Sequence, residues 1–167
     1  PATYKIQKRG GKGIMGMKTM QDDIVEHFLC ASTHDNLMFF TDSGKVFQTQ
    51  VYEIPEGSRV ARGRGLLNFL ELSTEEKVLS LVTTTANPSK PNKSPKGHFD
   101  GPATIPSAGL GGFLVMITKN GRIKKTELSA FENVRKSGII AIKLEKGDML
   151  KKVVKTTGED DIILATK

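Results

Sequence analysis

Several residue types are scarce in this sequence of 167 residues, and each scarcity narrows the possible functions. The single cysteine, Cys30, excludes an internal disulfide and fits a reducing compartment. Because the residues around it alternate between apolar and polar, we predict a buried structural thiol rather than a nucleophile at Cys30. The sequence has no run of about 18 apolar residues and no N-terminal apolar segment typical of a signal peptide. We therefore expect no membrane partner.

The residues that would build an active site or a metal site are also missing. The three histidines, His27, His34 and His98, are scattered and have no metal-binding spacing. The two tyrosines, Tyr4 and Tyr52, stand apart from basic or acidic clusters, so neither is expected to act as a nucleophile. Tyr52 is predicted to be half-buried where its strand leaves a sheet. We predict no catalytic site, no metal and no cofactor in this chain.

Two glycine-containing segments match nucleotide-binding motifs only in part. Gly11, Gly13 and Gly16 have the spacing of the dinucleotide fingerprint, which requires a strand before the motif and a helix after it. Residues 17–33 lead instead into a strand-like run. Residues 43–46, SGKV, lack both the first glycine of a P-loop and the hydroxyl residue after the lysine. We reject both nucleotide-binding interpretations.

Short β-branched and aromatic runs bounded by turn residues dominate the chain, which is typical of an all-β protein. The clearest hairpin is NLMFFTDSGKVFQTQV, residues 36–51, in which Gly44 suits the positive φ of the turn. A second hairpin spans residues 112–128, with Asn120 and Gly121 in its turn. A third begins in DIILATK, residues 161–167, at the end of the chain.

The same elements recur along the chain, which indicates a repeat of about 50 residues per unit. Apolar runs introduced by glycine occur three times, and so do alternating runs that end in Ser or Thr. We predict a strand in each of these runs. The first kind spans 11–17, 63–70 and 136–144, and the second spans 26–33, 76–84 and 148–157. Units of four short strands are typical of propeller-like arrays. We predict an all-β, propeller-like partial array of about two to three four-stranded blades, part of a longer array.

One segment interrupts this repeat. Residues 86–112 contain five of the seven prolines and five glycines, so they are predicted to form an inserted loop rather than a strand. Its lysines, Lys90, Lys93 and Lys96, are either a basic arm or charges that keep the loop solvated, and we favour the second interpretation. The predicted organisation is a first partial blade at 1–34, a blade segment at 35–85, the loop at 86–112, a blade segment at 113–160 and the start of a further blade at 161–167.

Basic residues outnumber acidic ones by 25 to 18, giving a net charge of +7, which favours a polyanionic partner. The cations concentrate at strand junctions and after hairpin turns. The junction cations are Lys8, Arg9, Lys12, Arg59, Arg62, Arg64, Arg135 and Lys136, and the hairpin cations are Lys45, Lys119, Arg122, Lys124 and Lys125. Arranged around an axis, these positions predict a basic rim that holds a curved polyanion through its phosphates. The alternative is that the cations only keep the turns soluble.

The densest basic segment is QKRGGKG, which comprises Gln7, Lys8, Arg9, Gly10, Gly11, Lys12 and Gly13. Its glycines permit tight turns and allow backbone N–H groups to approach phosphates. The Arg9 guanidinium can contact two phosphate oxygens at once, whereas Lys8 and Lys12 act as point charges.

QKRGGKG is similar to the seven-residue box, Q-R-R-G-G-K-G, of the A subunit of bacterial DNA gyrase, with Lys8 in place of an arginine. Residues 31–70 resemble the strands and loops that follow this box in the family. The later segments TKNGRIKKTEL, SGIIAIKL and GEDDIILAT resemble its later repeats, whereas the loop at 86–112 departs from the family pattern. On this resemblance the chain is identified as a member of the family of gyrase C-terminal domains.

The resemblance implies a six-bladed β-pinwheel, in which neighbouring blades exchange strands and which bends and wraps duplex DNA. It implies a part in ATP-dependent negative supercoiling by a type II topoisomerase in the bacterial cytoplasm, associated with the nucleoid. The implied partners are double-stranded DNA, the N-terminal domain of the gyrase A protein and the gyrase B protein. The cleavage tyrosine, ATP and Mg²⁺ would belong to other domains of the enzyme. The alternatives are a topoisomerase IV C-terminal domain, in which the box is degenerate or missing, and a non-enzymatic protein-interaction propeller.

Overall fold

The computed structural model describes residues 6–16, 24–58, 63–66, 69–85 and 112–165. Its regular elements are seven strands and two short 3-10 turns. The strands are β1 (Asp35–Thr41), β2 (Lys45–Gln50), β3 (Val78–Thr85), β4 (Phe113–Thr118), β5 (Ile123–Glu127), β6 (Ile139–Ile140) and β7 (Leu150–Thr156), and the 3-10 turns are Val51–Glu53 and Leu128–Phe131. No helix among the described residues is long and apolar enough to cross a membrane.

Both predicted hairpins are present. Strands β1 and β2 pair antiparallel with Phe39 opposite Phe47, and β4 and β5 pair with Met116 opposite Lys124. The turn glycine of the first hairpin has a φ of +78°, and Gly121 in the second has a φ of +80°. Residues with a Cβ rarely adopt such backbone angles, so a glycine in a tight turn explains each hairpin locally.

The strands form two antiparallel sheets, which confirms the all-β, propeller-like fold class. The first sheet has the order β3-β1-β2-β6, and the second has the order β5-β4-β7. In each sheet the hairpin is joined by the alternating strand that follows it in sequence, β3 or β7. The second sheet contains three strands among the described residues, whereas the first contains four.

The fourth strand of the first sheet comes from beyond the second hairpin. Strand β6 pairs with β2, and the carbonyl oxygen of Gly44 accepts hydrogen bonds from the backbone N–H groups of Ala141 (2.9 Å) and Ile142 (3.1 Å). Gly138 enters β6 with a φ of +75°, and a Cβ at this position would lie 2.7 Å from the Phe47 ring. The second repeat therefore supplies β6, called the exchanged strand below, to the first sheet, through contacts that require glycine at positions 44 and 138.

The main hydrophobic core lies between the two sheets. Met38 and Phe40 of the first sheet and Leu114 and Met116 of the second sheet are buried together in this core. The opposite face of the first sheet is also covered, because Phe39 packs in a second cluster with Leu37, Phe47 and Leu70. Burial on both faces explains why β1 has a nearly continuous apolar sequence rather than a strict alternation.

Hydrogen bonds between the sheets supplement this apolar contact. The buried Ser80 hydroxyl of β3 accepts a hydrogen bond of 3.0 Å from the backbone N–H of Val153 in β7. The backbone N–H of Leu150 donates to the carbonyl oxygen of Asp42, in the first hairpin turn, over 3.0 Å. These polar links fix how β7 sits against the first sheet, since apolar packing by itself is not directional.

The prediction of a strand at 26–33 was wrong. Residues 24–34 contain no strand, and Cys30 is exposed rather than buried. Leu29 packs against the second apolar cluster, but no described strand pairs with this segment. An alternating pattern forms a strand only where a neighbouring strand supplies backbone partners, and Cys30 shares the exposure of the unpaired segment.

Other predictions made from local sequence were also wrong. The predicted glycine-led strands are absent from 11–16 and 63–66, and 161–165 form no strand. Tyr52 does follow β2, as predicted, but it is 61% exposed rather than half-buried. The predicted loop at 86–112 lies outside the described residues, except for Gly112, whose carbonyl oxygen accepts a hydrogen bond from Leu128.

Candidate nucleic-acid interface

The segment QKRGGKG forms a loop that closes on itself. The backbone N–H of Gly11 donates to the carbonyl oxygen of Lys8 over 3.0 Å, and Gly10 has a φ of +87° within this turn. The side-chain oxygen of Gln7 accepts a hydrogen bond of 2.9 Å from the backbone N–H of Gly13. The glycines therefore provide a tight turn, and the glutamine side chain joins its two ends.

The three cations of this loop, Lys8, Arg9 and Lys12, are exposed. Their side chains form no hydrogen bond or ion pair with another described residue, so their charges face solvent. Lys8 contributes only its backbone to the loop, so lysine in place of arginine leaves the loop geometry unaffected. The difference at Lys8 is the loss of the planar guanidinium, which binds a phosphate through two parallel hydrogen bonds.

The cation after each hairpin turn is paired with an acidic residue. Lys45 forms a salt bridge with Glu76, whose carboxylate lies 2.8 Å from the lysine nitrogen and whose side chain is only 8% exposed. In the second hairpin the equivalent residue, Arg122, bonds to Glu145, and both side chains are largely exposed. The two repeats thus use the same position for an ion pair within the protein.

The two lysines of β5 also bond within the protein, on opposite faces of the strand. The Lys124 ammonium donates a hydrogen bond of 2.7 Å to the carbonyl oxygen of Ala141, next to the exchanged strand. Lys125 lies 4.2 Å above the centre of the Phe113 ring and donates to the carbonyl oxygen of Gly158 over 3.1 Å. The cation–π contact and both hydrogen bonds give these lysines a structural role.

The remaining predicted rim cations are exposed where the structure describes them. Arg64, Lys119 and Arg135 form no side-chain hydrogen bond or ion pair with another described residue. Lys136 is exposed and lies near the Glu53 carboxyl, whose pKa is lowered by a hydrogen bond from Thr49 and by the Lys136 charge. Arg59 and Arg62 lie outside the described residues. Within the described ranges, no group of three or more potential ligands is placed to hold a metal.

Acidic residues just before β3 and β7 cap the hairpin turns, a role that the sequence patterns above did not predict. Glu76, before β3, accepts a hydrogen bond of 2.7 Å from the Ser43 hydroxyl in the first turn. Asp148, before β7, accepts one of 3.1 Å from the backbone N–H of Asn120 in the second turn. The recurrence of an acidic residue just before each of these strands was the pattern that would have revealed the caps.

The Glu76 cap makes stability depend on pH. Burial raises the pKa of the Glu76 carboxyl, but hydrogen bonds from Lys45 and Ser43 outweigh it and hold the pKa below its ordinary value of 4.5. A lowered folded-state pKa gives stability that is present above about 4.5 and lost as pH falls through the folded value. We expect Glu76→Gln to lower the free energy of unfolding at pH 7 by about 1 kcal/mol.

We also expect Glu76→Gln to flatten the loss of stability below pH 4.5. Urea denaturation between pH 7 and pH 3 measures both effects. Glu75→Gln is the matched control, since the exposed Glu75 side chain has no hydrogen bond or ion pair with another described residue. An equal acid dependence in the two variants would contradict the capping role.

The sequence is similar to a known protein family. The sequence model of the family described as "DNA gyrase C-terminal domain, beta-propeller" matches residues 2–32, 35–85 and 112–157. The gyrase A proteins of Clostridium acetobutylicum and Mycolicibacterium smegmatis are 41% and 39% identical to the chain. Each alignment covers 98% of this chain and 17% of the relative. The chain therefore spans about a sixth of the length of these relatives.

Two solved structures share the fold. The C-terminal domain of DNA topoisomerase IV superposes with a TM-score of 0.64 over 86% of this chain and 38% of that one. The C-terminal domain of DNA gyrase A superposes with a TM-score of 0.61 over 91% of this chain and 41% of that one. Both are 23% identical to the chain, a level at which the similarity establishes the fold and nothing further.

Proposed function

The chain belongs to the DNA gyrase C-terminal domain family, and from this premise we propose that it binds duplex DNA and bends it around a basic surface. The observation that carries this proposal is the loop formed by QKRGGKG. Its three cations are exposed and unpaired among the described residues, and the space beside Gly10, between Arg9 and Lys12, is open. Such a loop suits contact with phosphates, which position DNA without reading its base sequence.

The rest of the DNA-binding surface is proposed to come from the cations that remain available to solvent. Among the described residues these are Arg64, Lys119, Arg135 and Lys136. Arg59 and Arg62, which lie outside the described residues, are proposed to contribute as the sequence predicts. Lys45, Arg122, Lys124 and Lys125 already bond within the protein, so their main proposed role is to stabilise the hairpins and the exchanged strand. On this proposal, sequence preference arises from how easily a given DNA bends.

We further propose that this binding serves ATP-dependent negative supercoiling by a complete gyrase. The gyrase A protein that carries this domain would act with the gyrase B protein on chromosomal DNA in the bacterial cytoplasm. DNA cleavage, ATP binding and Mg²⁺ binding are assigned to other domains of that enzyme. The wrapped DNA would supply the segment that the enzyme passes through its double-strand break.

Topoisomerase IV is the second candidate, because its C-terminal domain shares the fold. Two observations favour gyrase over it. The relatives at 41% and 39% identity are both gyrase A proteins. The sequence also contains QKRGGKG, which resembles the gyrase box in six of its seven residues, whereas the resemblance implies a degenerate or missing box in topoisomerase IV. A protein-interaction propeller has no comparable observation in its favour.

The salt dependence of DNA binding tests this proposal. If the three box cations each neutralise one phosphate, the logarithm of the binding constant should fall with the logarithm of salt concentration with a slope of about −2.7 or steeper. This slope corresponds to a loss of affinity of about 40-fold or more between 50 and 200 mM salt. Titration of a labelled linear duplex with the chain, in a series of salt concentrations, measures it.

Two duplexes of unrelated sequence but similar flexibility serve as the control in this titration. We expect their affinities to agree within about threefold, because phosphate contacts carry no base information. A slope near zero would overturn the proposal, and so would strong preference for one of the two sequences.

A further inference from the structure

We propose that Gln7 is a positioning residue, which closes the QKRGGKG loop before DNA arrives and holds its cations in place for phosphate contact. The inference rests on the proposed DNA-binding function, but it assigns a task to an uncharged residue. The hydrogen bond of 2.9 Å from the backbone N–H of Gly13 to the Gln7 side-chain oxygen spans six residues. It brings the first residue of the segment onto the last.

The geometry at Gly11 also supports this assignment. A Cβ at Gly11 would lie 2.6 Å from the Gln7 side-chain oxygen and 3.1 Å from the Gln7 Cβ. The closed loop therefore places the glutamine side chain in space that any other residue at position 11 would need. The backbone N–H of Gly11 also completes the turn by bonding to the Lys8 carbonyl oxygen. The position of the Gln7 side chain thus requires glycine at position 11.

The loop needs such a device because none of the described strands pairs with it. Residues 6–16 are exposed and contain no strand, so hydrogen bonds inside the loop contribute directly to its order. An open loop would let the three cations sample many positions, and ordering them on DNA would reduce affinity. Since a net hydrogen bond is worth about a factor of five in an equilibrium constant, we expect loss of the Gln7 bond to weaken DNA binding by about fivefold.

A positioning role and a charge role change the salt dependence differently. Removing the Gln7 amide leaves the number of neutralised phosphates unchanged, so affinity should fall at every salt concentration while the slope stays the same. Removing one cation should reduce the slope by about 0.9. The slope therefore separates Gln7 from its charged neighbours in a way that a loss of affinity by itself does not.

The experiment compares Gln7→Met with Lys8→Gln and with Gln50→Met in the 167-residue chain. Methionine matches glutamine in length but has no amide oxygen, and Gln50, at the end of β2, provides the same exchange away from the loop. We expect Gln7→Met to bind a linear duplex about fivefold more weakly with an unchanged slope. Its Gly13 amide proton should move upfield in an NMR spectrum. Gln50→Met should alter neither quantity.

Three results would overturn the inference: an unchanged affinity in Gln7→Met, an unchanged Gly13 amide shift, or a slope reduced as in Lys8→Gln. None of these results would contradict the proposed function if Lys8→Gln still reduced the salt dependence of DNA binding. Failure of the proposed function has a different outcome, in which all three variants bind DNA as the unaltered chain does.

Discussion

Simultaneous replacement of Lys8, Arg9 and Lys12 by alanine in a complete gyrase A protein is expected to abolish ATP-dependent negative supercoiling, while DNA cleavage and relaxation persist. The three side chains are exposed and have no described partner within the protein, so their removal should leave the fold intact. It should reduce the slope of the logarithm of the DNA-binding constant against the logarithm of salt concentration by about 2.7, because three phosphates are no longer neutralised. On the proposed function, wrapping depends on that contact, whereas the chemistry of cleavage is assigned to other domains of the enzyme.

Supercoiling of a relaxed plasmid by the variant, reconstituted with the gyrase B protein and ATP, measures this loss. Cleavage and relaxation assays on the same preparation show whether the rest of the enzyme works. The matched control replaces Lys143, Lys146 and Lys151, which are exposed lysines outside the proposed surface, and so changes the net charge equally. Retention of supercoiling by the box variant, or its equal loss in the control, would contradict the assigned role.

We expect replacement of Gly44 by alanine to destabilise the protein more than replacement of Gly121, although the two glycines occupy the same position of the repeat. The difference comes from the exchanged strand. At Gly44 a Cβ would lie 2.5 Å from the carbonyl oxygen of Ile142, whereas at Gly121 it would meet nothing within 4 Å. Both have a positive φ, so alanine at either position should cost roughly 1–2 kcal/mol of backbone strain. Gly44→Ala should lose about 1–3 kcal/mol more, because the backbone of the exchanged segment must move.

Denaturant unfolding of the two variants measures this difference in the free energy of unfolding. Amide hydrogen exchange at Ala141 and Ile142 locates it, since both N–H groups donate to the Gly44 carbonyl oxygen. We expect faster exchange there in Gly44→Ala and native rates in Gly121→Ala. Equal destabilisation of the two variants would show that β6 does not depend on the Gly44 contact.

The hairpins were predictable because their causes lie within a few residues. At 36–51, a turn glycine with positive φ and the flanking apolar residues define the strand pair locally. Asn120 and Gly121 do the same for the second hairpin. The alternating runs that became β3 and β7 were also recognised, and each found its partner in the hairpin that precedes it.

The same pattern at 26–33 failed to predict a strand, which shows the limit of local reasoning. Residues 26–33 alternate as residues 76–84 do, but only the second segment lies against a hairpin edge in the described structure. The exposure of Cys30 follows from that difference. Sequence alternation records which side chains would share a face, and the pairing edge itself comes from elsewhere in the chain.

The candidate interface divides in the same way. Charge and glycine content marked QKRGGKG and the rim cations, since these are properties of residue type. Which cations form ion pairs within the protein depends on residues far away in the sequence. Glu76, the partner of Lys45, also bonds to the Ser43 hydroxyl 33 residues earlier, and Glu145, the partner of Arg122, lies 23 residues further along the chain. No local pattern ties those charges together, so the cations looked equivalent in the sequence.

The all-β class, the two hairpins, the repeat and the basic loop follow from local sequence, because short-range sterics, periodicity and charge decide them. The packing of the folded chain set the rest: β6 crosses to the first sheet, residues 24–34 form no strand, and several predicted rim cations bond within the protein. Those outcomes depend on which backbone edges and which opposite charges the fold brings together, and residues far apart in sequence have no local means of specifying that meeting.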